Sequence, residues 1–157
     1  MTDIAFHFNV PDKLAYSCRL LRKAYTSGMQ VVVTGEAAQL ARLDDLMWTF
    51  STVDFLPHTR VAPALLAGNA VSGTEINDAE AGLGILLAEK PERVRSHGVL
   101  VNLGQQIPDS FERFDRFIEL VTSEADDRLA ARRRWKHYAD RGYALVSHDQ
   151  AEAANQS

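Results

Sequence analysis

Cysteine is nearly absent. Cys18 is the only one in 157 residues, which excludes an intrachain disulfide and any multi-cysteine metal site. Phosphate-cradling glycine loops are missing as well. The first strand candidate, Ile4 to Phe8, runs into Asn9-Val10-Pro11-Asp12-Lys13, with no glycine to let a pyrophosphate approach the backbone. No loop ends in Gly-Lys-Ser or Gly-Lys-Thr. Val33-Thr34-Gly35-Glu36 sets one glycine between a strand and a helix, which marks a tight turn more often than a ligand contact. The histidines His7, His58, His97, His137 and His148 are scattered, with no close pair at metal-ligand spacing. Ser17, Ser51 and Ser110 lack a nucleophile-elbow context. No apolar run approaches the roughly 20 residues of a membrane span, and no basic region precedes an apolar run at the start, as a signal peptide would require. These absences leave no catalytic residue, cofactor or metal to nominate, and the expectation is a cytoplasmic, non-enzymatic chain.

Positive charge is also in short supply. With 17 Lys and Arg against 21 Asp and Glu the net charge is −4, which disfavours a general nucleic-acid coat, since such proteins neutralise many phosphates through a basic face. Hydrophobic residues at 46% and charged residues at 24% are ordinary for a globular protein with one core. The expected layout is a single domain over 1–147 with a loose polar tail over 148–157.

What is present is an alternation of strand and helix signals. After the strand at Ile4–Phe8, Asn9 is placed to cap a helix with Pro11 and Asp12 in its first turn. Leu14, Cys18, Leu21 and Tyr25 share one face of that helix, and Gly28 ends it. Met29–Val33 reads as a buried strand. Glu36–Trp48 is helical, with Leu40, Leu43 and Met47 on one face. Phe55-Leu56-Pro57-His58 reads as extended, and 59–82 as a long connection rich in Ala, Gly, Asn, Ser and Thr. Leu83–Ala88 and Gly98–Leu103 are further strands. Asp109 with Glu112 resembles a capping box that opens a helix through Val121. Ser123 and Asp126 start the last helix, which Gly142 stops, and Tyr143–Val146 adds a final strand. The alternation implies an α/β domain with a mainly parallel sheet.

The scarce positive charge is concentrated. Six of the 17 Lys and Arg, namely Arg128, Arg132, Arg133, Arg134, Lys136 and Arg141, lie in the last helix beside Trp135 and Tyr138. Arg132, Trp135 and Lys136 stand three and four residues apart and can share one side of that helix. Two cations beside an indole can hold carboxylates while the ring packs an apolar side chain. The same spacing also suits a solvated helix whose aromatics turn into the core, and the pattern leaves both open.

Three segments carry a resemblance to a known family. They are Leu43-Asp44-Asp45-Leu46-Met47-Trp48 followed by Phe55-Leu56-Pro57-His58, then the strand Gly98–Leu103 leading into the helix expected over Phe111–Val121, and then Ala131–Tyr143, with Arg132-x-x-Trp135-Lys136-x-Tyr138 and Gly142-Tyr143. The chain resembles the chi subunit family of bacterial DNA polymerase III, a component of the clamp-loader assembly, over nearly its whole length and in matching order. The resemblance implies a Rossmann-like three-layer domain without nucleotide chemistry. It implies that Arg132, Trp135 and Lys136, with Val121 lining the apolar side, bind the acidic, apolar-tipped C-terminal tail of single-stranded DNA-binding protein. Trp135 stands where relatives can carry a tyrosine, which keeps an aromatic contact and loses a hydroxyl. It further implies that the surface of Trp48 and Phe55 binds a psi-type subunit that leads to the clamp loader, or a helicase using the same surface; packing of both rings inside the domain is the competing reading. DNA contact is then indirect. Two other functions remain in play: a small Rossmann-like nucleotide-binding domain or enzyme, cued by Gly35, and direct DNA binding through the basic helix.

Overall fold

The β-prone run that opens the chain forms β1 (Asp3–Val10), with Ile4, Phe6 and Val10 fully buried. A computed structural model of the chain describes residues 2–49, 58–61, 85–89, 98–108 and 111–149. Helix α1 (Lys13–Thr26) starts at Asp12, whose carboxylate accepts the amides of Leu14 and Ala15 at 3.1 and 3.2 Å. Asn9 is therefore not the cap. It stays in β1 with φ of 58° and donates its side-chain amide to Asp149 Oδ1 at 2.9 Å. Capping needs an oxygen within reach of the second and third helical amides, so the residue directly before the helix wins. Asn tolerates the left-handed region better than most residues.

Ser17, Cys18 and Leu21 form the buried face of α1, while Tyr25, expected on it, is exposed. Strand β2 (Val31–Thr34) is buried throughout, and begins two residues later than expected because Met29 stays at the surface. Helix α2 (Ala37–Thr49) buries Leu40, Leu43 and Met47 as its spacing predicts. Strands β3 (His58–Val61), β4 (Ile85–Ala88) and β5 (Val99–Asn102) follow. The expected connection over 59–82 thus begins with strand residues; its remainder, like Phe55, lies outside the described residues.

The largest departure comes next. The helix expected through Val121 is a single 3₁₀ turn over Phe111–Arg113, and then strand β6 (Arg116–Thr122). Phe114, Phe117, Ile118 and Val121 satisfy the helical spacing, yet the same stretch alternates. Phe117 and Val121 enter one core layer and Leu120 the other. Hydrogen-bonded neighbours on both sides, β5 and β1, decide for the strand. Helix α3 (Ala125–Asp140) then leads to β7 (Leu145–Asp149), so His148 and Asp149 belong to the sheet rather than to a tail. Glu124 precedes α3 without a side-chain capping bond, and neither Ser123 nor Asp126 caps it.

Among the described residues seven strands lie in the order β3-β4-β2-β5-β6-β1-β7, and all of their pairings are parallel. Helices α1 and α2 cover one face, where Cys18, Leu21, Leu40 and Leu43 meet Val31, Val33, Ile85 and Val99. Helix α3 covers the other, where Ala131 and Tyr138 meet Ile4, Phe6, Val32 and Leu100. The fold is the expected three-layer α/β domain, and its sheet, expected to be mainly parallel, is parallel at each described pairing.

On the α1 face, His7 shares a hydrogen bond with the Tyr16 hydroxyl and packs edge-on against His148, its register partner on β7. Burial, reinforced by His148, lowers the His7 pKa from 6.5 to about 4. The folded protein resists a proton that the unfolded chain accepts, so the unfolded state binds more protons between those values. Stability is fully present above pH 6.5 and falls as pH drops toward 4. Urea unfolding midpoints should decline across that window, and His7→Gln should decline less steeply than wild type; parallel curves would show that His7 is not the source.

Candidate peptide-binding face on the last helix

Helix α3 divides its basic run between two environments. Asp127, Ala131, Arg134 and Tyr138 recur at steps of four, three and four and form the buried face. Arg134, read from sequence as part of the basic surface, is only 2% exposed. Its Nε meets Glu119 Oε2 at 2.8 Å, and its Nη1 donates to the Gln105 carbonyl at 2.8 Å. The Tyr138 hydroxyl donates to the same Glu119 oxygen at 2.7 Å, and Asn102 Nδ2 donates to Glu119 Oε1 at 2.7 Å. Burial pushes the Glu119 carboxyl up, while the Arg134 guanidinium and the donated bonds pull it back. Burial and the adjacent carboxylate raise the Tyr138 phenol, which stays protonated and keeps donating.

With Arg134 turned inward, the outer side of α3 is set. Arg128, Arg132, Arg133 and Lys136 are exposed, and none forms an ion pair among the described residues. Leu129 stands among them at 49% exposure. Trp135 is half-buried at the border of this face. Its ring centroid lies 5.1 Å from Phe6 and 6.2 Å from Phe8, and it packs against the α3-side core. Tyr138 is core, and Trp135 spans core and surface.

Of the four residues expected to bind an acidic tail, Arg132, Trp135 and Lys136 lie together on the accessible side of α3. Val121 has no exposed surface. It belongs to the cluster beneath Trp135, and supports the face from behind instead of lining it. The sequence reading passed over Phe8, which is half-buried on β1 beside Trp135; the alternation of Phe6 and Phe8 was the available signal. Trp48 falls on the last turn of α2, and its side chain, like all of Phe55, lies outside the described residues.

The usual ligand position of an open parallel sheet is differently occupied. β1 leads into α1 on one face and β6 into α3 on the other, which defines a switch point at their carboxyl ends. Asp127 fills it, accepting the Thr122 amide at 2.8 Å and hydroxyl at 3.0 Å and pairing with Lys13 at 3.1 Å. Lys13 also donates to the Leu103 carbonyl at 2.8 Å. Burial tends to raise the Asp127 carboxyl, but the Thr122 amide and Lys13 outweigh it and hold it low. The chain's own carboxylate therefore sits where a phosphate would. A Cβ on Gly35 would lie 3.1 Å from the Leu103 Cβ, so this glycine serves close packing. Among the described residues no group of three His, Cys, Asp or Glu side chains could hold a metal ion, and no helix is long and apolar enough to cross a membrane. A cavity of about 530 Å³ opens on the α1 face between Leu20, Ala24, Met29, Ile118 and Val146, away from Arg132, Trp135 and Lys136.

Arg134→Ala would leave Glu119 buried without its cation, and should cost about 3–5 kcal/mol in urea unfolding. Arg132→Ala, at the surface, should stay within about 0.5 kcal/mol. Equal small losses would mean that the buried pair does not anchor the helix.

Comparison with known proteins bears on the whole chain. The family model for the DNA polymerase III chi subunit, HolC, matches residues 1–146. The DNA polymerase III subunit chi of Pseudomonas aeruginosa is 34% identical over 137 residues, covering 87% of this chain and 85% of that protein. The subunit of the same name from Haemophilus influenzae is 27% identical over 131 residues, covering 82% and 81%. A family match over nearly the whole length, on a three-layer fold that agrees with it, means that this chain belongs to the DNA polymerase III chi subunit family of replication accessory subunits.

Proposed function

We propose that this chain is a non-catalytic replication adaptor whose α3 face binds the acidic C-terminal tail of single-stranded DNA-binding protein. The observation that carries the reading is the juxtaposition on α3 of exposed Arg132 and Lys136 with half-buried Trp135. The cations engage the tail's carboxylates through charge-assisted bonds, and the indole desolvates its apolar tip. The surface of Trp48 and Phe55 joins a psi-type subunit, and through it the clamp loader; a helicase can use the same surface. The body of this adaptor is the single α/β domain that runs through β7 to Asp149, it works in the cytoplasm, and its contact with DNA runs through the protein partner, in keeping with a net charge of −4. The nucleotide-binding alternative is opposed by Asp127, which already holds the amide and cation that a phosphate would need.

For one short peptide the affinity should be about micromolar, near −8 kcal/mol, and added salt should weaken it by screening the exposed cations. Fluorescence anisotropy with a labelled copy of the host tail tests this. Wild type should saturate, and Lys136→Glu should lose about tenfold or more with an unchanged thermal melt. Equal binding by the variant would move the site off α3. A melting temperature raised by nucleotides, with no tail binding, would favour the alternative.

A further inference from the structure

We infer that Phe8, on β1, forms with Trp135 the apolar contact surface for the tip of the acidic peptide, and that Val121 acts only behind it. This rests on the tail-binding reading above and assigns the part of that site which α3 does not supply. The reason is one of access. Val121 is fully buried, and so is Phe6, so neither can touch a ligand. Phe8 and Trp135 are half-buried aromatics at the outer margin of the same cluster that pack on each other, whereas Tyr143, the third such ring, packs on Phe111. Phe8 stacks on Phe6 with centroids 5.6 Å apart and planes within 17°, and the Trp135 ring leans on both. The two outer rings thus form a step backed by a rigid core, the setting in which an aromatic anchor contributes most to binding.

The surroundings give the step a direction. On its α3 side stand Arg132, three residues before Trp135, and Lys136. On its other side, in register with Phe8, lies Asp149 at the edge of the sheet, joined to Asn9 at 2.9 Å. A peptide with an apolar tip and neighbouring carboxylates therefore lies with its acids toward α3, because the reverse orientation sets them against Asp149. The left-handed backbone at Asn9 directly follows Phe8, and the Asn9–Asp149 bond ties this end of β1 to β7.

The test uses the full chain and two labelled peptides: the host tail, and the same tail with its terminal apolar residue changed to alanine. Phe8→Ala should weaken the intact tail about tenfold and keep its salt dependence, because the lost contact is apolar. It should bind the truncated tail as weakly as wild type does, since ring and tip are then one interaction counted once. Lys136→Glu should instead flatten the salt dependence and remain sensitive to the truncation. If Phe8→Ala shows a disturbed melt, Phe8→Leu carries the test, with about a threefold loss expected from removing the ring at similar volume. Wild-type binding with no loss in either Phe8 variant overturns this inference and leaves the tail-binding role standing. Absence of wild-type binding overturns both.

Discussion

A buried ion pair between the last helix and the central sheet sets the orientation on which the exposed chemistry depends. Glu119 sits in β6, deep in the sheet, and gathers donors from two other elements: Arg134 and Tyr138 on α3, and Asn102 on β5. A helix turns by about 100° per residue, so fixing Arg134 and Tyr138 inward leaves little freedom for the rest of α3. Arg132 and Lys136 must face outward and Trp135 must fall at the border. Such a pair is an expensive way to gain stability, since apolar residues of similar volume often do as well. Among the described residues, the buried Arg134 Nη2 has no hydrogen-bond partner. What the pair supplies is a defined rotation of the helix, because a greasy contact would tolerate slippage and three bonds converging on one carboxylate do not.

A second polar device closes the place where a sheet of this kind usually binds a ligand. Lys13, Asp127 and Thr122 close the crevice at the carboxyl ends of β1 and β6. The amide and cation that would otherwise attract a phosphate are consumed internally. With the switch point closed, the remaining accessible cationic surface of α3 is its outer side, and the shared architecture says nothing by itself about ligand chemistry. Asp127 and Arg134 belong to one helical face, so the residues that close the crevice also help set which side of α3 faces outward.

How far this was legible in the sequence depends on whether local pattern and tertiary context agree. Leu40, Leu43 and Met47 on α2, and the all-buried runs of β2, β4 and β5, are places where they agree. Phe114, Phe117, Ile118 and Val121 are where they do not. A short apolar segment can satisfy the helical and the strand period together, and only open hydrogen-bonding edges on β5 and β1 select the strand. Asn9 and Asp12 are both good cap residues, and the choice between them is a matter of which side chain reaches two amides. Arg134 could not be separated from its neighbours by composition, since nothing local announces that a guanidinium will find Glu119 across the fold. That Arg132, Trp135 and Lys136 share one side of α3 was legible because helical spacing alone brings them together; the alternation of Phe6 and Phe8 marked their strand, but not that Phe8 would meet Trp135 from the far end of the chain.

The balance of forces on the α3 face also sets what kind of partner the proposed role requires. Each exposed cation gains about 0–1 kcal/mol from an ion pair in water, so Arg132 and Lys136 alone would hold an acidic peptide weakly and indiscriminately. The half-buried rings alone present too little area to retain an apolar side chain against the cost of ordering a flexible tail. Only a ligand that brings carboxylates and an apolar group at matching separation gains from both. The whole chain carries a net charge of −4 although six of its 17 Lys and Arg lie between positions 128 and 141, so the rest of the protein is net acidic and repels acidic segments, while α3 attracts them. Binding of this kind is selective in chemistry yet modest in strength and sensitive to salt.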